Sequence, residues 1–340
     1  SQGYLSNTSS FSLSLWAAAQ NFYGDLVFSG GVSESGYSNL NGSISIIGSN
    51  SSLGASSIEQ NDPYLGVFLN SSLSAYAIRT SDGLQTELIF DDGRKTPWKW
   101  AGSINSMLYS DEEAILAVGS SDSSQSSLLT IFDLRTSDVI ANETMNNGST
   151  INSMVYFEKN STILVGGNFS LPDSSCSDLC LYSYDRQQWS KLGNNSITGN
   201  VKQIQVYSPT QLLISGALSI QNKSYIGVAL FNVTSYSLET HLDTSIKGLN
   251  SFSTNENRIL SWNETNMFTF ENNKWENIAL PDATYPASLV DVCGISLGSS
   301  LGKRDTTYSE SLLVMGQFRE SSESSLQAFL YDFETWLPYY

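Results

Sequence analysis

Apolar and polar residues alternate along most of this chain in short runs of period two, the pattern of half-buried β-strands, with no sustained helical period. Five segments repeat one another: INSMLYSDEEAILAVGSS from Ile104, INSMVYFEKNSTILVGGNF from Ile151, VKQIQVYSPTQLLISGAL from Val201, LNSFSTNENRILSWNET from Leu249, and LVDVCGISLG from Leu289 followed by SLLVMGQF. Their starts fall 40 to 50 residues apart, a spacing that without helices predicts propeller blades. Each unit reads as an alternating strand, a polar turn and a short apolar strand ending in glycine. A Ser-rich loop follows, then a strand such as LLTIFDL, LCLYSYD, GVALFNV, MFTFEN or QAFLYDF, and a last strand that often bears Trp, as at Trp189, Trp275 and Trp336. A near-continuous apolar second strand is what coverage on both faces requires. Gly119, Gly166, Gly216 and Gly316 close that strand, where a missing side chain allows close backbone approach, and Ser261 takes the place in the fourth repeat.

The five clear repeats fill residues 104–340. Residues 1–103 hold LVFSGG at 26–31 and AYAIRTSDGLQTEL at 75–88, the latter resembling TIFDLRTSDVIANE at 130–143. They have room for two less regular blades, with an inserted loop near 36–63. The pattern therefore predicts an all-β fold over residues 1–340: one closed β-propeller of seven blades, each of four antiparallel strands. Six blades is the alternative, and a tandem of β-sandwiches is weakened by the missing linker.

Composition explains how such a surface stays wet. Charged residues are 14%, against about 25% in an ordinary soluble protein, while 61 Ser, 21 Thr and 27 Asn make up about a third of the chain. The net charge is −17 and no Lys/Arg run exceeds two, which argues against nucleic acid and anionic lipid as partners and against a strongly acidic partner surface. Twelve asparagines stand in the Asn-x-Ser/Thr acceptor pattern: Asn7, Asn41, Asn50, Asn70, Asn142, Asn147, Asn160, Asn168, Asn194, Asn222, Asn232 and Asn263. That is about twice what a Ser-rich composition produces by chance, and it points to a secretory-pathway ectodomain solubilised by sugar. Asn168 is the doubtful acceptor, because it follows Gly167 at the end of an apolar strand. No apolar run reaches 18 residues and the chain begins at Ser1, which reads as a fragment or a processed ectodomain.

Cys176 and Cys180, three residues apart in a Ser/Asp-rich loop, are expected to form a disulfide, leaving Cys293 as a buried free thiol. Candidate chemistry is thin. The single histidine, His241, lies in a stretch that reads as a strand and has no acidic or Cys motif beside it, so it reads as structural or exposed. Asp111, Glu112 and Glu113 are consecutive in a hairpin turn, and Asp91 and Asp92 precede Gly93; both sets read as solvated turns. Trp98 and Trp100 alternate on one strand, as a blade-packing pair or as a sugar-stacking platform. Neither a metal nor a cofactor is expected. Two function classes compete: a non-catalytic docking ectodomain, and a secreted carbohydrate-active or carbohydrate-binding kelch-like propeller. One histidine cannot provide a two-histidine copper site, which favours the first.

FSLSLWAA (11–18), NLNGS (39–43), IFDLRTSDVIANET (131–144), ILVGGNF (163–169), CSDLCLYSYD (176–185) and LYDFETWLPYY (330–340) resemble the fungal bud-site-selection cortical markers of the Rax-two family. The resemblance implies the membrane-proximal part of a larger ectodomain of a type I membrane glycoprotein, followed by a Ser/Thr-rich stalk and a transmembrane helix. It further implies a place on the extracellular or lumenal side of the plasma membrane at the bud neck, bud tip and division site, marking poles for bipolar budding. Implied partners are other membrane proteins of that pathway, a smaller multi-pass protein and pole-marking glycoproteins. Lys303-Arg304 is the dibasic pair that a Kex-type Golgi protease cuts, or else a solvated hairpin tip.

Overall fold

Every regular element in the computed structural model is a strand. The structure describes residues 11–20, 26–34, 40–47, 54–57, 63–70, 73–80, 85–90, 94–110, 112–121, 127–158, 161–172, 176–193, 197–252, 258–271, 274–280, 288–297, 309–318, 325–331 and 335–339, and no helix occurs among them. Their strands form seven antiparallel sheets, each a meander of four consecutive strands.

The first sheet is β1 (Phe11–Gln20), β2 (Leu26–Glu34), β3 (Leu40–Ile47) and β4 (Gly54–Ser57). The second is β5 (Pro63–Asn70), β6 (Leu73–Arg79), β7 (Thr86–Phe90) and β8 (Lys95–Trp100). The third is β9 (Ile104–Ser110), β10 (Ile115–Ser120), β11 (Ser127–Asp133) and β12 (Asp138–Thr144), and the fourth is β13 (Thr150–Glu158), β14 (Thr162–Ser170), β15 (Ser177–Ser183) and β16 (Gln188–Lys191). The fifth holds β17 (Ile197–Ser208), β18 (Gln211–Ile220), β19 (Lys223–Asn232) and β20 (Ser237–Asp243), and the sixth β21 (Gly248–Phe252), β22 (Arg258–Trp262), β23 (Met267–Glu271) and β24 (Lys274–Ile278). The last is β25 (Ser288–Leu297), β26 (Ser309–Phe318), β27 (Ser325–Tyr331) and β28 (Trp336–Tyr339). Strands β3 and β4 lie inside 36–63, where the pattern marks an inserted loop. LNGSISII is short and set among Ser-, Gly- and Asn-rich flanks, and GASS has no large apolar residue, so neither stands out as a strand.

The chain divides into two compact units, one of Ser1–Tyr64, Phe252–Thr269 and Glu276–Tyr340, the other of Leu65–Ser251 and Phe270–Trp275. In the first, β1 runs beside β25. Leu260, Trp262, Met267, Leu289, Leu312 and Val314 form its core between the sixth and seventh sheets, and the Trp336 ring stacks on Tyr331 at 4.4 Å.

In the third, fourth and fifth sheets the second strand is the most buried, as its apolar run requires. Every residue of β10 is buried, and so are five consecutive residues of both β14 and β18. One core fills the space between the third and fourth sheets around Ile131, Ile151, Ile163 and Val165, and another joins the fourth to the fifth around Leu164, Val201, Ile204 and Ile214.

The repeated glycines receive the next sheet. A Cβ on Gly119 would stand 2.4 Å from Cγ2 of Ile151, and one on Gly166 would stand 2.5 Å from Cδ1 of Ile204. The close approach expected there is thus made by side chains of the following first strand. Gly216 differs: its φ of +145° and the Asn200 carbonyl, 2.0 Å from where a Cβ would sit, require glycine for backbone reasons.

Carboxamides join successive first strands. Asn105 Nδ2 donates to the Ile151 carbonyl at 3.1 Å, and Asn152 Nδ2 to the Val201 carbonyl at 2.8 Å. Gln203 Nε2 donates to the Leu249 carbonyl at 2.7 Å, while its Oε1 accepts from the Leu249 N–H at 2.9 Å. These bonds set neighbouring sheets of this unit in the same sense. One end, here termed the connector end, therefore carries the links between sheets and the second-to-third-strand hairpins; the hairpin end carries the other two hairpins of each sheet.

Candidate docking surface

Strand β8 shapes the second sheet's outer edge. It reads Lys-Thr-Pro-Trp-Lys-Trp, and Pro97 has no N–H to give to a ladder. Its register against β7 runs Thr86↔Trp100 and Glu87↔Lys99, then jumps to Ile89↔Lys95, so two surplus residues of β8 bulge out. Trp100 stays in the packing, 3% exposed, with its ring edge-on to Phe132 of the third sheet at 6.1 Å. Trp98 is 44% exposed. Alternation predicts that the two indoles share one neighbour, and the bulge separates them.

Between the second and third sheets, at the hairpin end, lies a groove of about 280 Å³. Its floor includes Phe90, Leu116 and Phe132, and Arg94, Lys95 and Arg135 are among the described residues that line it. The Arg94 guanidinium lies over the Phe90 ring, 5.3 Å from its centroid. Lys95 Nζ is 2.8 Å from the Glu87 carboxylate, whose side chain is 10% exposed. Arg135 sits in the β11–β12 turn, where its N–H donates to Asp133 Oδ1 at 2.8 Å and its guanidinium donates to the Glu113 carbonyl.

The next junction is closed by polar contacts that sequence reasoning missed. Tyr182 Oη donates to Glu143 Oε1 at 2.7 Å, and Trp189 Nε1 donates to Oε2 of the same carboxylate at 3.2 Å. Burial first, and the Glu143 carboxylate second, hold the Tyr182 phenol protonated well above the usual tyrosine range. Asp178 accepts from the Phe169 N–H at 3.2 Å and from the Gly199 N–H at 2.9 Å, tying the fourth sheet to the fifth. It does so at φ +63°, inside the loop closed by the Cys176–Cys180 disulfide. A lone Glu or Asp carries no sequence signal for such a role. Asn105 and Asn152 did carry one, as the second residue of the repeated INSM.

Among the acceptor asparagines, Asn142, Asn147 and Asn168 are exposed and lie toward the connector end, and Asn222 is exposed at the tip of the β18–β19 hairpin. Asn168, singled out for its apolar strand, has an outward side chain, because β14 alternates faces past Gly167. Asn232 is half-buried at the hairpin end: its Nδ2 donates to Glu239 Oε1 at 2.8 Å, and its Oδ1 accepts from the Thr234 and Ser235 N–H groups. Asn263 Oδ1 caps a turn, accepting from the Thr265 and Asn266 N–H groups. Asn41 and Asn70 belong to β3 and β5. Asn7, Asn50, Asn160, Asn194, Lys303, Arg304, Asp91, Asp92 and Asp111, and the side chain of Cys293 on β25, lie outside the described residues. Glu112 is exposed in its turn, and Glu113 is half-buried. His241 is 42% exposed on β20, with Nε2 3.9 Å from Asp243 and its ring 4.9 Å from Tyr225. No three His, Cys, Asp or Glu side chains converge on a metal-sized site among the described residues.

Comparison with solved structures places the architecture. The β-propeller domain of the Trilobed protease from Pyrococcus furiosus matches with TM-score 0.61 at 10% identity, over 96% of this chain and 97% of that one. Saccharomyces cerevisiae Sqt1 matches with TM-score 0.57 at 10% identity, over 93% and 97%. Likeness at this identity shows the fold alone, an all-β propeller. Sequence relatives carry more. The Bud site selection protein RAX2 of Saccharomyces cerevisiae is 38% identical over all of this chain, which spans 28% of that protein. The Polarized growth protein RAX2 of Candida albicans is 27% identical over 56% of this chain and 15% of its own length. The family model described as the Rax2 C-terminal beta propeller domain matches residues 129–340. With that model over more than half of the chain and end-to-end identity to the budding-yeast protein, this chain belongs to the Rax2 family.

Proposed function

We propose that this chain is a non-catalytic docking module of a bud-site-selection membrane glycoprotein, marking the cell cortex by binding other membrane proteins of that pathway. The end-to-end 38% identity to a protein named for bud-site selection carries the reading. The sheets are read as seven blades of one closed ring, supported by seven four-stranded meanders and by β1 running beside β25. An extracellular or lumenal position, next to a stalk and a membrane anchor, is supported by the Cys176–Cys180 disulfide and by four exposed acceptor asparagines.

The docking role is supported by how the chemical groups are engaged. Glu143, Asp178 and Glu87 are held in structural bonds, and the one histidine lies outward on an outer strand. Deleting residues 1–340 from the full-length protein and scoring bud scars in diploid cells tests the role. Loss of the bipolar pattern is expected; a normal pattern with normal localisation of the remainder would refute it. Enzymatic deglycosylation of yeast-made protein is expected to increase electrophoretic mobility, and unchanged mobility would refute the secretory placement.

A further inference from the structure

The β18–β19 hairpin departs from the other second-to-third-strand hairpins of this unit. A straight strand as long as β19, which has 10 residues, spans about 33 Å. Yet Gln221, just before β19, donates from Nε2 to the carbonyl of Tyr236, just past its end, at 3.5 Å. The strand therefore doubles back. The bend falls at Gly216 and Gly227, which face each other across the ladder at φ +145° and +140°, and Gly199 on the neighbouring strand has φ +111°. Glycine alone adopts such values without strain. Beyond that line, residues 197–200, 217–220 and 223–226 form a three-stranded flap in unbroken register.

The flap has two unlike faces. Leu218 and Ile220 are buried and share a core with Ala229 and Phe231 of β19. Tyr225, opposite Leu218, sets its ring 4.9 Å from that of His241 on β20. Ala217 and Ile226, opposite each other, are exposed on the other side. On the fourth sheet Trp189 faces Tyr182, whereas on the fifth Leu238 faces Phe231, and the flap completes that core.

A carboxylate holds the flap from outside its own sheet. Asp178 Oδ2 accepts from the Gly199 N–H at 2.9 Å while Oδ1 accepts from the Phe169 N–H at 3.2 Å, so one side chain pins the bend to β14. Hydrogen bonds to an ionised acceptor outweigh neutral ones such as the long Gln221 bond. Asp178 stands at φ +63° between Cys176 and Cys180. Chain-entropy stabilisation by a disulfide grows with the loop it closes, so a pair separated by 4 in sequence gains little that way. Its effect is local: it fixes the backbone that aims Asp178.

We propose that the flap is a hinged lid over β19 and β20, turning at Gly199, Gly216 and Gly227, and that the Cys176–Cys180 loop latches it through Asp178. The latch rests on the oxidising, secretory placement proposed above. Opening bares Leu218, Ile220 and Phe231 together, while the ladder on the near side of the glycines stays paired.

Native-state amide exchange of the yeast-made protein, followed by mass spectrometry, compares the parent with C176S/C180S and with D178N. Asn tolerates positive φ as Asp does, so D178N keeps the backbone and loses one of the two acceptors. Peptides covering 197–200 and 217–226 are expected to exchange together, about tenfold faster in both variants, while β10 keeps its parent rate. A flap rate unchanged in either variant overturns the proposal, and so does faster exchange of 197–200 alone, because the flap would then not move as one body. An equal rise in β10 overturns it too, since the loop would then hold the whole unit. Free thiols at Cys176 and Cys180 in the untreated parent overturn the secretory placement and the latch together, whereas an unchanged flap with the parent disulfide intact overturns the latch alone.

Discussion

Two junctions of the second unit are built from the same repeated strands and end differently. Between the third and fourth sheets Ile151 enters the space that Gly119 leaves, Tyr182 and Trp189 close on Glu143, and Asn146 Nδ2 donates to Ser170 Oγ at 2.7 Å. Between the second and third, Trp100 packs on Phe132, yet a groove of about 280 Å³ stays open beside it. What separates them is the outer-strand indole: Trp189 reaches Glu143 across the sealed junction, whereas the β8 bulge carries Trp98 outward from the open one. A repeat fixes the backbone that meets its neighbour, whereas the outer-strand side chain decides whether the meeting is sealed. Blades can therefore be stable and still differ in the surfaces they present.

The largest expected effect lies in the sealed junction. I151A removes a fully buried side chain shared by two sheets and should cost about 3 kcal/mol, whereas L134A at the half-buried groove rim should cost about 1 kcal/mol. Urea titrations of the two variants compare the junctions directly, and equal losses would break the distinction. Next comes G119A, whose added methyl group would meet Ile151 Cγ2 at 2.4 Å and should cost about 2 kcal/mol by overpacking. The double variant G119A/I151A should lose less than the two single variants together, since I151A removes the Cγ2 that the new methyl group meets.

An alkaline dependence follows from Tyr182. Its phenol is held protonated above the usual range by burial and by Glu143, while an unfolded tyrosine ionises near pH 10. The stabilisation is thus fully present below about pH 10 and is lost as pH rises beyond it. Melting temperature followed from pH 8 to 11 should fall less steeply for Y182F than for the parent chain, although Y182F starts lower because Glu143 loses a donor. Parallel curves would show that the Glu143 contact does not perturb this tyrosine.

Much of this could be read from residues. The 40-to-50-residue repeat announced a propeller, and the strings ILAVG, ILVGG and LLISG marked the second strands, because a strand covered on both faces must be apolar at every position. INSM repeated at 104 and 151 carried the amide links, though only their positions in the fold give Asn105 and Asn152 that role. The Cys176–Cys180 pair was legible from a three-residue spacer in a turn-rich loop. Strands β3 and β4 were not, since β3 alternates over only a few residues between Ser-, Gly- and Asn-rich flanks and β4 has no large apolar residue.

The candidate site lay beyond the sequence for a different reason. Phe90, Arg94, Leu116, Phe132 and Arg135 come from two sheets and three chain segments, and nothing in local spacing says that they meet. Trp98 and Trp100 alternate as a packing pair should, yet a register jump of two residues sends them to different surroundings. By itself the chain determined its class, its repeat and its polar composition rich in Ser, Thr and Asn, because these depend on the period and the kind of residue. Only the tertiary structure decided which junction closes and which stays open, because that depends on side-chain volumes brought together from separate repeats, a sum that no single repeat contains.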